Sequence, residues 1–324
     1  MKVKSLAAIG LLVSALSTTL YAQDKGFPSR PVEIIVPSSP GGGVDLFFRL
    51  LAEELVKVMK AQVNVVNQTA GAGAIAAEKV AGARKDGYMV LGTLLSMPAA
   101  MTVANPKGQV NLSRDYQPLA VLHGYAAVIM LGRADAEFKS LKDVVAHAQK
   151  KPGGLIVGIG PVGTSLALEV ELLRRAAKID ITSLPFAGSA QTITNLLGGH
   201  VNFAMASDVA ALPHIKAGNL AGLAVDVESA VLPDVPTFAK LGYPQVNLLA
   251  SLAFLAPKGL PETVAKTWTD SIRRAIQEPK LRESLIAKGY NIDLRTGARE
   301  LDKLLKEEIE KYSRFSADEL GWKG

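Results

Sequence analysis

The chain has 324 residues, 48% of them apolar and 6% aromatic, with a formal net charge of +6 and no cysteine. That length accommodates two domains of ordinary size, and the composition fits a globular α/β protein rather than a disordered or fibrous one. The missing thiols exclude disulfides, thiolate metal sites and cysteine-linked lipid, and no Lys/Arg run is interleaved with aromatics as in a nucleic-acid surface.

Residues 1–22 read as a secretory signal. Lys2 and Lys4 form a basic start, Leu6 to Leu20 an apolar centre too short and too Ser/Thr-rich for a membrane anchor, and Thr18 to Ala22 a cleavage end. Loss of the two lysines leaves 34 basic residues against 30 acidic ones, a mild excess that favours anions.

A short apolar run, Glu33 to Val36, leads into Ser38-Ser39-Pro40-Gly41-Gly42-Gly43-Val44-Asp45 and then an amphipathic helix to Met59, with Leu46, Phe47, Leu50, Leu51, Leu55 and Val58 on one face. A glycine turn at a helix start presents free N-H groups and the positive end of the helix dipole, which suits an anion. Bulk at Gly42 is expected to abolish binding without unfolding the chain. Asp45 is expected to orient the loop or cap its helix, because a carboxylate beside a bound anion would repel it.

Strand Gln62 to Val66, loop Asn67 to Ile75, a small-residue helix through Val80, turn Asp86-Gly87 and strand Tyr88 to Gly92 follow. Strand and helix alternate, so parallel sheets with right-handed crossovers are expected. Leu119 to Leu131, broken at Gly124, reads as a crossing into a second domain that repeats the pattern. Strand Leu155 to Val157 enters loop Gly158 to Ser165 and a helix through Ala177. Strand Ile181 to Pro185 enters loop Phe186-Ala187-Gly188-Ser189 and a helix ending at Gly198-Gly199, then come strand Val201 to Met205, a short helix at Leu212 to Ala217 and strand Gly222 to Val225. Leu232 to Pro236 is a rigid connector, Leu248 to Ala256 crosses back, and helices starting at Pro261, Pro279 and Arg299 close the first domain.

Two enzymatic readings compete with binding. Gly158-Ile159-Gly160-Pro161-Val162-Gly163 has dinucleotide-loop spacing, but Asp180 precedes the second strand, whereas the ribose-binding acid should end it. Ser165, with Asp208 and His214 following, has the order of an exported serine hydrolase, but those two partners lie six residues apart on one short helix. His123, His147, His200 and His214 show no ligand spacing, so no metal and no cofactor are expected. What remains is two glycine loops, Ser38 to Asp45 and Gly163-Thr164-Ser165, one per domain, gripping a small anion across a cleft.

The chain resembles the periplasmic solute-binding subunits of tripartite tricarboxylate transporters, the Bug family. The likeness runs through Arg30-Pro31-Val32, Pro40-Gly41-Gly42 with Asp45, Asn67 with Gly71-Ala72-Gly73-Ala74-Ile75, Asp86-Gly87-Tyr88, Leu196 to Val201, and Leu232 to Phe238 with Gly242-Tyr243-Pro244. It implies a type II periplasmic binding-protein fold, two α/β domains joined by two crossing strands with a ligand cleft between them. The boundaries expected are 1–22 signal peptide, 23–124 plus 249–324 domain 1, and 125–248 domain 2, with hinge closure near His123 to Tyr125 and Leu248 to Ser251.

It further implies a monomeric periplasmic protein that takes a small carboxylate, without catalysis, to two separately encoded membrane subunits; a signalling partner is the other destination. Carried over by position, the ligand site falls on Ser38, Ser39, Gly41, Gly42, Gly43, Val44 and Asp45 in the first domain. In the second it falls on Gly163, Thr164, Ser165, Phe186, Ala187, Gly188 and Ser189. Ser38 stands where the family often has an aromatic, Ala167 where it often has histidine, Phe186-Ala187 where Tyr-Lys is common, and Ala206 where aspartate is common. The second domain is thereby less polar, and a ligand with one carboxylate and an apolar body is expected.

Overall fold

The computed structural model describes residues 26–320, so the signal-peptide reading of 1–22 lies outside the described residues. In chain order the elements of the first part are β1 (Val32–Val36), α1 (Gly43–Met59), β2 (Val63–Asn67), α2 (Ala74–Ala81), β3 (Met89–Leu94), α3 (Ser96–Ala104), α4 (Leu112–Asp115) and β4 (Tyr116–His123). The middle holds β5 (Val128–Arg133), α5 (Leu141–Lys150), β6 (Ile156–Ile159), α6 (Ser165–Ala177), β7 (Thr182–Pro185), α7 (Ser189–Leu197), β8 (Phe203–Ser207), α8 (Asp208–Lys216) and β9 (Leu220–Val225). The end holds β10 (Leu252–Pro257), α9 (Glu262–Gln277), α10 (Pro279–Ala287), β11 (Asp293–Arg295), α11 (Ala298–Ser313) and α12 (Ala317–Leu320).

These strands form two sheets, ordered β11-β4-β10-β3-β1-β2 and β7-β6-β8-β5-β9. β1 lies parallel to β2 and β3, and β10 runs antiparallel to β3 and β4. The second sheet repeats this, with β6 parallel to β7 and β8 and β5 antiparallel to β8 and β9. Even the register shift recurs, at Phe254/Leu255 in one exchanged strand and Met130/Leu131 in the other. The all-parallel expectation is therefore corrected: the fourth strand of each sheet arrives from the other half of the chain and enters reversed. The apolar run Leu119 to Leu131 is two strands of different sheets, parted at Gly124, where φ is +58°. The helix expected at Leu212 begins earlier, at Asp208, because Ser207 caps it through Ala210 N.

Periodicity explains the helix packing. Phe47, Phe48, Leu51 and Leu55 of α1 are all buried against the first sheet, and α1 stops at Lys60, whose φ of 53° is left-handed. Phe48 stacks edge-on to Phe254 at 4.9 Å, over Gly92, whose missing Cβ would lie 2.6 Å from its ring. Trp268 of α9 is fully buried, and its Nε1 donates to Gly87 O at 2.8 Å, which seats α9 beside the Asp86-Gly87 turn. One continuous apolar cluster spans both sheets, and a smaller one, with Ile129, Leu131, Ile193 and Leu196, lies under α7 and α8.

Candidate functional site

The parallel strands of both sheets end at the same place, the region where open α/β sheets present their ligands. β1 ends at Val36 and leads to Ser38, β3 ends at Thr93 and Leu94, β6 ends at Ile159 and leads to Pro161, and β7 ends at Pro185 and leads to Phe186. Three helices begin there, α1 after Gly42, α6 after Thr164 and α7 after Gly188, and no side chain caps any of them. Each leaves N-H donors and a positive dipole end directed at the gap between the sheets.

A cavity of about 20 Å³, room for about one water, lies between them, lined by Pro37, Ser38, Gly43, Val44, Thr93, Leu94, Met97, Pro161, Thr164, Leu166, Gly188 and Ser189. The rest of the gap is filled by contact between the two loops. Ser39 N donates to Ala187 O at 2.9 Å, and a Cβ on Gly188 would meet Ser38 Oγ at 2.8 Å and Ser39 Oγ at 2.9 Å. Gly43 lies so close to Ser207 that a Cβ there would stand 2.4 Å from its hydroxyl. Any organic acid needs the two halves to part before it can enter.

The first loop is held from behind. Asp45, 1% exposed, accepts from Gly41 N at 2.9 Å and Asn67 Nδ2 at 2.8 Å, while Arg49 Nε approaches its carboxylate to 2.9 Å. Asn67 Nδ2 also donates to Ser38 O at 2.9 Å, and its Oδ1 accepts from Arg49 Nη2 at 2.7 Å. Asp45 is thus spent on shaping the loop, with Gly41 at φ +79° completing the turn. Arg49 and Asn67 are members of this network that helical-face and strand periodicity alone did not mark.

On the opposite side, Thr164 Oγ1 donates to Pro161 O at 2.6 Å, and Ser189 Oγ accepts from Ser207 N at 3.0 Å. Ser39 Oγ and Ser165 Oγ are buried and have no hydrogen-bond partner. Two orphaned hydroxyls beside three uncapped helix starts favour an anionic or strongly accepting ligand, since an unpaired buried polar group is costly.

Of the residues singled out in the sequence, Ser38, Gly43, Val44, Thr164, Gly188 and Ser189 line the cavity. Ser39, Gly41, Gly42, Asp45, Gly163, Ser165 and Ala187 belong to the loops that frame it, Gly163 supplying a turn at φ +76°. Phe186 turns away: its ring packs in the smaller apolar cluster, 3.2 Å from where a Gly158 Cβ would sit. Pro37 and Pro161 add the proline ends of the two loops, and Thr93, Leu94, Met97 and Leu166, which carried no loop signature, complete the wall. The end of a third strand leading toward the same point was their available signal.

The dinucleotide glycines have packing reasons instead. Gly160 makes way for Leu166 and Gly158 for Thr192 and Phe186, while Asp180 lies at the far end of the sheet, paired with Arg174 at 3.3 Å. The serine-hydrolase set is not assembled: Ser165 Oγ has no partner, and the Asp208 carboxylate accepts from Ser229 Oγ at 2.5 Å and Val209 N at 2.7 Å.

A family model described as the tripartite tricarboxylate transporter family receptor matches residues 47–319. The protein BugT of Bordetella pertussis is 29% identical over 287 residues, 88% of each chain. A protein from the tcbD-tcbE intergenic region of a Pseudomonas species is 30% identical over 317 residues, 96% of this chain and 92% of its own. Among solved structures, MatC of Rhodopseudomonas palustris with bound malate superposes with a TM-score of 0.83 at 27% identity, covering 89% of this chain and 99% of its own.

Proposed function

This chain belongs to the tripartite tricarboxylate transporter receptor family, and from that membership we propose that it captures a small carboxylate between two lobes and delivers it to two separately encoded membrane subunits. The lobes are 23–124 with 249–324, and 125–248. They close about the crossovers near Gly124 and Leu249, both at left-handed φ, +58° and +47°. The protein acts in the periplasm as a monomer, after loss of residues 1–22.

One observation carries the ligand class. Three uncapped helix starts meet at a cavity framed by loops that carry the unpartnered hydroxyls of Ser39 and Ser165; its apolar wall is Pro37, Val44, Leu94, Met97, Pro161 and Leu166, with no basic side chain among the lining residues. Such a wall accommodates one carboxylate through N-H and O-H donors and an apolar body against the aliphatic side chains. It offers no counter-charge for a second carboxylate. MatC binds malate, a dicarboxylate; this chain is assigned monocarboxylates with a compact apolar substituent.

Thermal-shift titration with aliphatic and aromatic monocarboxylates, malate and citrate tests the assignment. Monocarboxylates should raise the melting temperature with the logarithm of their concentration above Kd, by a free energy of about 2.7 kcal/mol at a hundredfold excess over Kd. Stabilisation by citrate and by no monocarboxylate would sink it.

Ser165→Ala provides a second check. Removing an unpartnered buried hydroxyl should leave the stability of the unliganded protein within about 0.5 kcal/mol or raise it. The same change should weaken carboxylate binding about tenfold, because a hydrogen bond to a charged group contributes about 1.5 kcal/mol or more. Calorimetric affinity equal to that of the parent would remove Ser165 from the site.

A further inference from the structure

Glu169 lies in α6, the helix whose first residues frame the cleft, and it is fully buried. Its Oε1 accepts from Leu248 N at 3.2 Å, while its Oε2 has no assigned partner. Asp226, the first residue beyond β9, is 3% exposed; its Oδ1 accepts from Val128 N and Val227 N, both at 2.7 Å, and its Oδ2 is likewise unpartnered. The two carboxyls lie within hydrogen-bonding reach of each other. The backbone groups they hold belong to both crossovers: Val128 starts β5 after the outgoing one, and Asp226 and Leu248 stand at the two ends of the return.

The surroundings do not neutralise them. From α11, Lys311 Nζ donates to Leu248 O at 2.9 Å and pairs with buried Glu308 at 2.6 Å, and the Tyr312 ring carries a neutral hydroxyl nearby. From the start of α8, Asp208 adds a third buried carboxyl, held by Ser229, and Tyr125 of the outgoing crossover faces both aspartates. Two ionised carboxylates in contact in so apolar a place would repel each other and lack solvation. A single proton between them satisfies both orphaned oxygens at once. Asp226, already receiving two N-H donors, is the better anion, so the proton belongs to Glu169.

We propose that protonated Glu169 donates to Asp226, and that this bridge is a positioning pair holding both crossovers against the binding helix, so that lobe closure takes up protons and weakens as pH rises. The inference rests on the hinge-closing reading given above. Burial pushes the Glu169 carboxyl well above its ordinary range and raises Asp226 to about 7. Opening admits water to the crossovers and returns both toward ordinary values near about 4. Between those limits the closed state binds more protons than the open one, and closure is lost with increasing pH.

The absence of cysteine makes the test direct. Cysteines placed at Ile75 and Leu184, exposed positions on opposite lobes, take spin labels without competing thiols, and pulsed EPR reads their separation with no ligand present. The parent should move toward longer distances between about pH 5 and about pH 8.5. Glu169→Gln keeps a donor toward Asp226 at every pH, so its distances should stay short and unchanging. Infrared difference spectra should show a buried protonated-carboxyl band at neutral pH in the parent that Glu169→Gln removes.

A parent without that band, parent distances indifferent to pH, or a Glu169→Gln variant that follows the parent's pH response would each overturn the proposal. Should Glu169→Gln fail to fold, Asp226→Asn must show the same flattened response, and its retention of the parent's pH response would overturn the proposal equally. Neither readout uses a carboxylate ligand, so a failed ligand screen and a failed proton bridge give separate results.

Discussion

Asp45→Ala should weaken carboxylate binding about a hundredfold, equivalent to about 2.7 kcal/mol, even though Asp45 is placed behind the ligand and not against it. Its carboxylate is the common acceptor for Gly41 N, Asn67 Nδ2 and Arg49 Nε. Truncation removes the shared acceptor of the first two donors; Gly41 is exposed and Asn67 half-buried and still bonded to Ser38 O, so each loss sits at the low end, about 1 kcal/mol. The exposed Arg49 adds little, because water screens it. The freed loop then loses the arrangement in which the α1 N-H groups face the cavity, and the ligand must supply the free energy of reordering it.

Asp45→Asn keeps one carbonyl acceptor but turns an amide donor toward one of the same groups, so its loss should be intermediate. Isothermal titration with the best monocarboxylate, alongside thermal melts of the unliganded proteins, separates the loss of affinity from the loss of stability. Parent-like affinity in Asp45→Ala would show that the first loop holds its shape by other means.

The halves of this fold were legible because both write the same grammar: an apolar strand, a glycine turn, an amphipathic helix. The repeat at Leu155 to Ala177 and Ile181 to Gly199 led to two matching sheets. What periodicity could not reveal was the exchange of β5 and β10 between sheets, since strand direction depends on which edge the chain reaches and not on which residues are apolar. The lining of the cavity between the sheets carries a sequence signal only in part. Glycine and serine at helix starts marked Ser38, Gly43, Thr164 and Ser189, because those residue types answer a local backbone requirement. Thr93, Leu94 and Met97 look like ordinary strand and helix residues, and only the convergence of strand ends brings them to the cavity. Phe186 lies outside the cavity lining for a related reason: an aromatic beside a glycine loop can face a cleft or the core, and the space left by Gly158 draws it inward.

Gly188→Ala should lower stability and affinity together, and the two losses have separate origins. Gly188 has φ +142° and ψ 177°, a conformation essentially confined to glycine, so an alanine carries about 1–3 kcal/mol of strain whether or not ligand is bound. The added Cβ also meets Ser38 Oγ at 2.8 Å, Ser39 Oγ at 2.9 Å and Ser39 N at 3.3 Å, all across the gap between lobes. That second cost falls on the closed state alone and should weaken binding by about tenfold to a hundredfold, the consequence of about 1–3 kcal/mol of overpacking.

Gly43→Ala isolates the closure cost. Its backbone is ordinary, so unliganded stability should change little, yet its Cβ would stand 2.4 Å from Ser207 Oγ and 3.2 Å from Ser207 Cβ. Gly42, the position the sequence marked for bulk intolerance, meets mainly its own loop, Ser39 O at 3.3 Å and Ser38 Oγ at 3.5 Å, so Gly42→Ala should be the mildest of the three. The expected order of affinity loss places Gly188 and Gly43 above Gly42, with a lowered melting temperature only at Gly188. Parent-like binding by both Gly43→Ala and Gly188→Ala would mean that the ligand is held without these two loops meeting.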